Sequence, residues 1–236
     1  MPTRAITESG APLARRLFWM VPPVAAICLM LSVAGVNAQL NPGEHAHVRN
    51  HISGTPEHNL KTLMTTNTCT GCDLRGLDLS GRNLLAVDLM GADLRGANLS
   101  GATLSGGNLR EANLTGANLA GAVIGGVNFT GAVLAGANLR DSVSSRASFH
   151  MANLSGAQLR GAKLEYADME GASLNEADLS ETDLYEARLL FADLSRVNFS
   201  GADLHGADFT QSITEGVHTD AATTCPDRKP GPCGLQ

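Results

Sequence analysis

From Cys72 onward a large apolar residue returns at every fifth position, at Leu74, Leu79, Leu84, Leu89 and on to Phe209. Of these 28 positions 21 are Leu, four are Phe (Phe129, Phe149, Phe199, Phe209), and the others are Ile124, Met169 and Ser144. Two residues before the apolar position stands Ala in 19 units, and two residues after it stands Gly in 16. A continuous helix is excluded, because five residues advance it by about 500° and successive leucines share no face. A continuous strand is excluded too, because an odd period throws alternate leucines to opposite sides. Each unit must be a short extended piece followed by a turn. Within the extended piece residues two apart point the same way, so Ala and Leu both face inward. Gly then supplies the turn, where φ becomes positive.

Units this small cannot bury a core alone and must stack. Phe129, Phe149 and Phe209 are separated by multiples of 20 residues, and Met169 belongs to the same series. Four units per coil would place these side chains in one inner ladder. Asn98, Asn118, Asn138 and Gln158 also fall 20 apart, just outside the core, where an amide ladder can form. Twenty-eight units then make seven coils, a rod about 34 Å long at ~4.8 Å per stacked strand. The one fault is Asp141–Ser145, where Ser144 replaces the inward leucine while register resumes at Phe149. A lost leucine there predicts a small void and a hydroxyl in need of a partner, costing on the order of 2–5 kcal/mol. Two readings stand: a tolerated defect, or a pocket or kink used in recognition.

The Ala-(Asp/Asn)-Leu-x-x pattern resembles the pentapeptide-repeat family and holds register over 140 of the 236 residues. The resemblance implies an all-β fold, a right-handed quadrilateral β-helix. The opening Cys69-Thr70-Gly71-Cys72-Asp73-Leu74 is similar to the start of exported or cyanobacterial-type members. The resemblance also implies an alternative function. Some cytoplasmic members mimic double-stranded DNA, bind DNA gyrase and protect it from quinolones.

Outside the repeat the chain divides further. Arg4, Arg15 and Arg16 precede an apolar run, 17–36, and Val36-Asn37-Ala38 follows as a small-x-small cleavage signature. That order reads as a secretory signal over 1–38, and Ala14-Arg15-Arg16-Leu17-Phe18 resembles a twin-arginine export signal. Left uncleaved, 17–36 is long enough to tether the chain to a membrane. Either way the expected location is periplasmic or secreted, or anchored facing outside the cytoplasm. Residues 39–56 read as a linker. Residues 57–71 read as an N-terminal cap with a short helix from about 57 to 66, its start marked by Thr55-Pro56. The repeat occupies 72–211, and 212–236 forms a tail.

Candidate chemistry is sparse. A net charge of −6 argues against general nucleic-acid binding, which needs a basic stripe. Removal of 1–38 would leave four cysteines. Pairs at opposite ends of a long rod meet only if the tail doubles back, so local disulfides Cys69–Cys72 and Cys225–Cys233 are expected in an oxidising compartment. Cys72 stands at an inward position, where a buried reduced thiol is the other reading. His45, His47, His51 and His58 crowd 14 residues and are weak candidates for metal ligands, with a solvated tract as the plainer reading. That tract supports an envelope metal-binding protein as a second alternative function. From Glu165 to Asp208 stand 11 acidic residues against Arg188 and Arg196. Tyr166, Tyr185, Leu190 and Phe191 point outward there, near one edge of the rod. An exposed aromatic cluster with an acidic rim suits a protein partner. No catalytic constellation and no cofactor motif emerges, and the recurrent Asp before Leu belongs to the repeat grammar. The expected function is an exported, non-catalytic structural or interaction module.

Overall fold

In the computed structural model, residues 54–235 are described. The proposed leader 1–38 and most of the linker lie outside them. No described helix is long and apolar enough to cross a membrane.

The unit geometry follows from the five-residue grammar. The residue before each leucine makes a parallel bridge to its equivalent 20 positions on, from Thr68 with Asp88 through Asn198 with His218. Four units therefore close one turn of a four-sided β-helix. At each corner the amide three residues past the apolar position donates back to that residue's carbonyl, as from Ala92 to Leu89 at 3.0 Å. The amides of Leu and of the turn residue instead reach the next coil: Leu89 to the Asn108 carbonyl and Gly91 to the Arg110 carbonyl, both at 2.8 Å. Almost every backbone polar group of an inner coil is thus paired although no strand exceeds a few residues.

The inward positions form one continuous core of Ala and Leu, nearly all without exposure. Each buried leucine contributes about 1.5–3 kcal/mol, and the small Ala beside it lets the coil close tightly. Phe129 and Phe149 stack face to face at 5.0 Å and 5°, with Met169 buried in the same column. Phe209 differs: it is half-buried at the end of the core and meets Phe199, from the opposite side of the coil, edge-on at 6.0 Å. The outer amide ladder runs from Asp78 through Asn98 and Asn118 to Asn138 at 3.0–3.2 Å. Gln158 bridges Asn138 through its backbone.

Both ends are closed. Helix α1, Pro56–Thr66, starts on the Thr55 hydroxyl, which accepts from the His58 amide at 3.3 Å. Its Leu63 packs on the core with 1% exposure. Asn59 donates to the Asp73 carbonyl at 3.0 Å, and Asn67 donates to the Leu85 carbonyl at 2.9 Å. Those carbonyls belong to the first coil, which has no preceding coil to pair with. At the other end the ladder passes the boundary expected at Gln211. Ile213 pairs with Asp193, His218 with Asn198, and Thr224 with Asp203. The step from His218 to Thr224 is one residue too long, and the chain there turns across the last coil as a cap.

The disulfides lie within these caps. Cys69–Cys72 (S–S 2.02 Å) spans a corner inside the first coil, with both residues buried. Cys225–Cys233 (S–S 2.04 Å) closes the C-terminal loop.

Candidate interaction surface

Side chains at the corners are the ones the repeat leaves free. The second corner residue is left-handed in every unit, with φ between 51° and 71° whether it is Gly or not. Tyr166 (φ 59°) and Phe191 (φ 58°) occupy this position, whereas Tyr185 and Leu190 precede it. Corners 20 residues apart lie one above another, so Arg146, Tyr166, Tyr185 and His205 share one column. The Arg146 guanidinium lies 5.3 Å from the Tyr166 ring centre. Tyr166 meets Tyr185 edge-on at 5.5 Å, and Tyr185 meets His205 at 5.2 Å. Arg228 of the C-terminal cap extends the row, donating through Nε to His205 Nε2 at 2.7 Å.

Leu190 and Phe191 do not join this row. They stand at the next corner, in line with His150 and Met151, because the chain crosses one side of the coil between Tyr185 and Leu190. The patch is therefore two corners flanking one side rather than a single edge. Met151 is 65% and Phe191 56% exposed, against 44% for Tyr166. Sequence reasoning missed Arg146, His205, Arg228 and Met151. The 20-residue spacing links the first, second and fourth to the patch, but Arg228 follows the one-residue step and is out of phase.

Some carboxylates are paired within the rod and others are not. On the side between the corners, Arg188 pairs with Asp168 at 3.5 Å and Glu170 at 2.5 Å. His150, Asp168 and Glu170 are close enough to converge on one cation, but the Arg188 guanidinium already pairs with both acids. Glu176 pairs with Arg196 and Glu181 with Arg160. On the other side of the tyrosine corner, Glu165, Asp183 and Asp203 have no salt-bridge partner among the described residues. Burial and then the negative charges of Glu165 and Asp203 push the Asp183 carboxyl above its usual range. The Asp183 and Asp203 side chains accept from the Tyr185 and His205 amides, both at 3.0 Å, which holds them beside the aromatic column.

The Ser144 fault has a local solution. Ser142 and Ser144 are both fully buried, and their hydroxyls hydrogen-bond at 2.8 Å. Bridges from Val123 to Val143 and from Val143 to Lys163 pass through the site unbroken, so the rod does not kink there. Of the histidine tract, His58 is exposed on α1, and His45, His47 and His51 lie outside the described residues. An open cavity of about 510 Å³ lies at the C-terminal end, lined by Phe209, Pro226, Pro230, Pro232 and the Cys225–Cys233 disulfide.

The sequence profile for pentapeptide repeats matches in eight copies over residues 69–106, 108–143, 152–189 and 177–213. Among solved structures, a trypsin-treated variant of QnrB1, a plasmid-mediated fluoroquinolone resistance protein, aligns over 65% of this chain and 82% of its own. Its TM-score is 0.52 at 19% identity. HetL, a pentapeptide repeat protein involved in heterocyst differentiation regulation in the cyanobacterium Nostoc sp. strain PCC 7120, is 25% identical. It covers 73% of this chain and 97% of its own with a TM-score of 0.30. A pentapeptide repeat protein from the Arabidopsis thaliana thylakoid lumen is 28% identical over 57% of this chain and 70% of its own, with a TM-score of 0.28. No curated protein sequence matches. The profile match and the QnrB1 likeness give the fold as a right-handed quadrilateral β-helix.

Proposed function

We propose, from the premise that the chain belongs to the pentapeptide-repeat family, that it is an exported, non-catalytic scaffold presenting its second half to a protein partner in the cell envelope. The observation that carries this reading is the division of labour among residues. Inward positions build the core, the positions before leucine build the ladder, and only the corners are free to vary. Large apolar side chains collect at two adjacent corners, at Met151, Tyr166, Tyr185, Leu190 and Phe191. Exposed patches of this kind mark binding surfaces. The basic, apolar and small-residue order of 1–38 and the two disulfides, suited to an oxidising compartment, support export. Whether 17–36 is removed or retained as a tether, the rod works outside the cytoplasm. Fractionation with mass spectrometry of the mature N-terminus tests this. A periplasmic or secreted product beginning near Gln39, or a membrane-bound one, is expected, and a cytoplasmic product with an intact N-terminus removes the proposal.

The 11 acidic residues between Glu165 and Asp208 favour a second reading, a gyrase-binding protein that mimics DNA. Against it, several of those acids are neutralised within the rod by Arg160, Arg188 and Arg196, and export would part the protein from such a target. A supercoiling assay with no inhibition and no protection at micromolar protein eliminates this reading.

A further inference from the structure

We infer that the corner formed by Arg146, Tyr166, Tyr185 and His205, with Glu165, Asp183 and Asp203 beside it, docks an arginine- or lysine-bearing segment of the partner protein. This rests on the scaffold reading and names the chemistry of its partner.

The first support is backbone strain that the fold does not require. Up to Gly136 only Ala86 and Glu111 interrupt glycine at the left-handed corner position, whereas from Asp141 to Gln211 ten of fifteen units lack it. Side chains in that conformation are disfavoured. At Glu176, Glu181 and Arg196 the side chain gains an ion pair in exchange. Tyr166 gains surface contacts with the Arg146 guanidinium and the Tyr185 ring, and bulky residues held in such conformations concentrate at functional sites.

The second support is charge. Glu176 and Glu181 each have an arginine partner, and Asp168 and Glu170 share Arg188. Glu165, Asp183 and Asp203, which adjoin the tyrosine column, have no ion pair, as is also true of Asp178, Glu186, Asp193 and Asp208 among the described residues. Burial first, and then the charges of Glu165 and Asp203, only partly countered by Lys163, raise the Asp183 carboxyl, and a further cation docked at this corner would oppose that repulsion.

The third support is the geometry of the rings. Tyr166 already accepts a guanidinium over its face at 5.3 Å. Tyr185 is half-buried and fixed between Tyr166 and His205, so a second cation meets pre-ordered rings with carboxylates alongside. Arginine suits this combination, because its plane stacks on rings while its edge pairs with carboxylate.

The chain has only two tyrosines, so the full-length protein labelled with 3-fluorotyrosine reports on this corner through two ¹⁹F resonances. It is titrated at low salt with a short peptide alternating Arg and Ser, and with the same peptide carrying citrulline, the uncharged isostere. The arginine peptide is expected to shift both resonances and the citrulline peptide neither. By fluorescence anisotropy, Asp183→Asn with Asp203→Asn and, separately, Tyr166→Gly with Tyr185→Ser each weaken binding by about ten-fold or more, the size of a lost charge or cation–π contact. Leu85→Ser, at an exposed apolar corner residue at the far N-terminal end of the rod, leaves affinity within two-fold. Circular dichroism verifies that each variant is folded, and Tyr166→Gly introduces the residue the corner prefers. Equal binding of the citrulline peptide, unmoved ¹⁹F resonances, or unchanged affinity in both double variants overturns the inference. Those outcomes leave the scaffold reading standing if the protein is found outside the cytoplasm, so the two fail separately.

Discussion

Phe191 stands at a left-handed corner with φ 58° and more than half its surface in water, and no ring stacks against it among the described residues. Its side chain gives the fold little and its backbone conformation has a cost. Phe191→Gly should therefore stabilise the protein by about 1 kcal/mol, the strain of a left-handed residue less the entropy glycine adds to the unfolded chain. Chemical denaturation of the two proteins measures it, and a loss of stability would mean that Phe191 is packed more tightly than its exposure indicates. The buried serines give the opposite sign. Ser144→Ala leaves the Ser142 hydroxyl without its 2.8 Å partner, which costs about 1–3 kcal/mol. Adding Ser142→Ala should restore most of that loss, since removing both polar groups is close to neutral. A double-mutant cycle with a negligible coupling energy would show that the two hydroxyls do not bond. The sequence displays the fault at Ser144 because one leucine is missing from a long row. It does not display the remedy, because Ser142 occupies a position where any small residue fits and its role depends on a rotamer.

At the scale of the element, the two caps do different work from the coils between them. An inner coil has neighbours above and below, whereas a terminal coil turns its unpaired amides or carbonyls outward and needs a cover. The C-terminal cap supplies acceptors for three amides of the last regular coil. Gly201 donates to the Asp220 carboxylate at 3.0 Å, Leu204 to the Thr224 carbonyl at 2.9 Å and Gly206 to the Pro226 carbonyl at 3.1 Å. Closing the short loop between Cys225 and Cys233 restricts the opened cap by about 2–3 kcal/mol on the loop-entropy estimate. Reduction, or Cys225→Ser with Cys233→Ser, should therefore speed hydrogen exchange at Gly201, Leu204 and Gly206 by ten-fold or more. Exchange at Leu114, deep in the rod, should stay unchanged. Uniform acceleration along the rod would instead mean that the cap and coils open as one unit. The N-terminal helix was legible in Thr55-Pro56. The continuation past Gln211 was not, because Thr214 and Thr219 stand where the repeat would place leucine. Gly216, with φ 70° at the corner position, is the one conserved piece of grammar within this chain that marks it.

At the scale of the whole molecule, the titration of the aspartates joins these local features into one acid response. Asp73 is held at about 2, first by the hydrogen bond from the Arg75 side chain. Burial pushes Asp93 up, but hydrogen bonds from Arg95 more than offset it and leave it lowered. Asp193 and Asp208 are lowered by the hydroxyls of Ser195 and Thr210, and Asp220 chiefly by the Gly201 amide. A carboxylate whose folded value lies below its unfolded value of about 4 adds stability above that unfolded value. The contribution is lost as pH falls through the folded value. Asp183, whose value is raised, has the opposite sign: its ionised form opposes folding at neutral pH, and protonation removes that penalty. Thermal stability should therefore be nearly flat above about pH 5 and decline from about pH 4 toward pH 2. Because these aspartates are largely exposed, each step is small, and the decline is a sum over the rod rather than one transition. Its spatial order is more telling than its size. Protonating Asp220 removes the negative charge that strengthens the bonds its Oδ1 accepts from the Gly201, Ala222 and Thr223 amides, all at the C-terminal end, whereas the buried Leu columns contain no titratable group. Hydrogen exchange at pH 3, corrected for its intrinsic rate, should then show loss of protection beginning at Gly201 and the cap while Leu114 and Leu134 remain protected. Asp220→Asn should reproduce that loss at pH 7. If acid opened the mid-rod amides first, the stability of the rod would depend on its outer aspartates more than on its apolar interior.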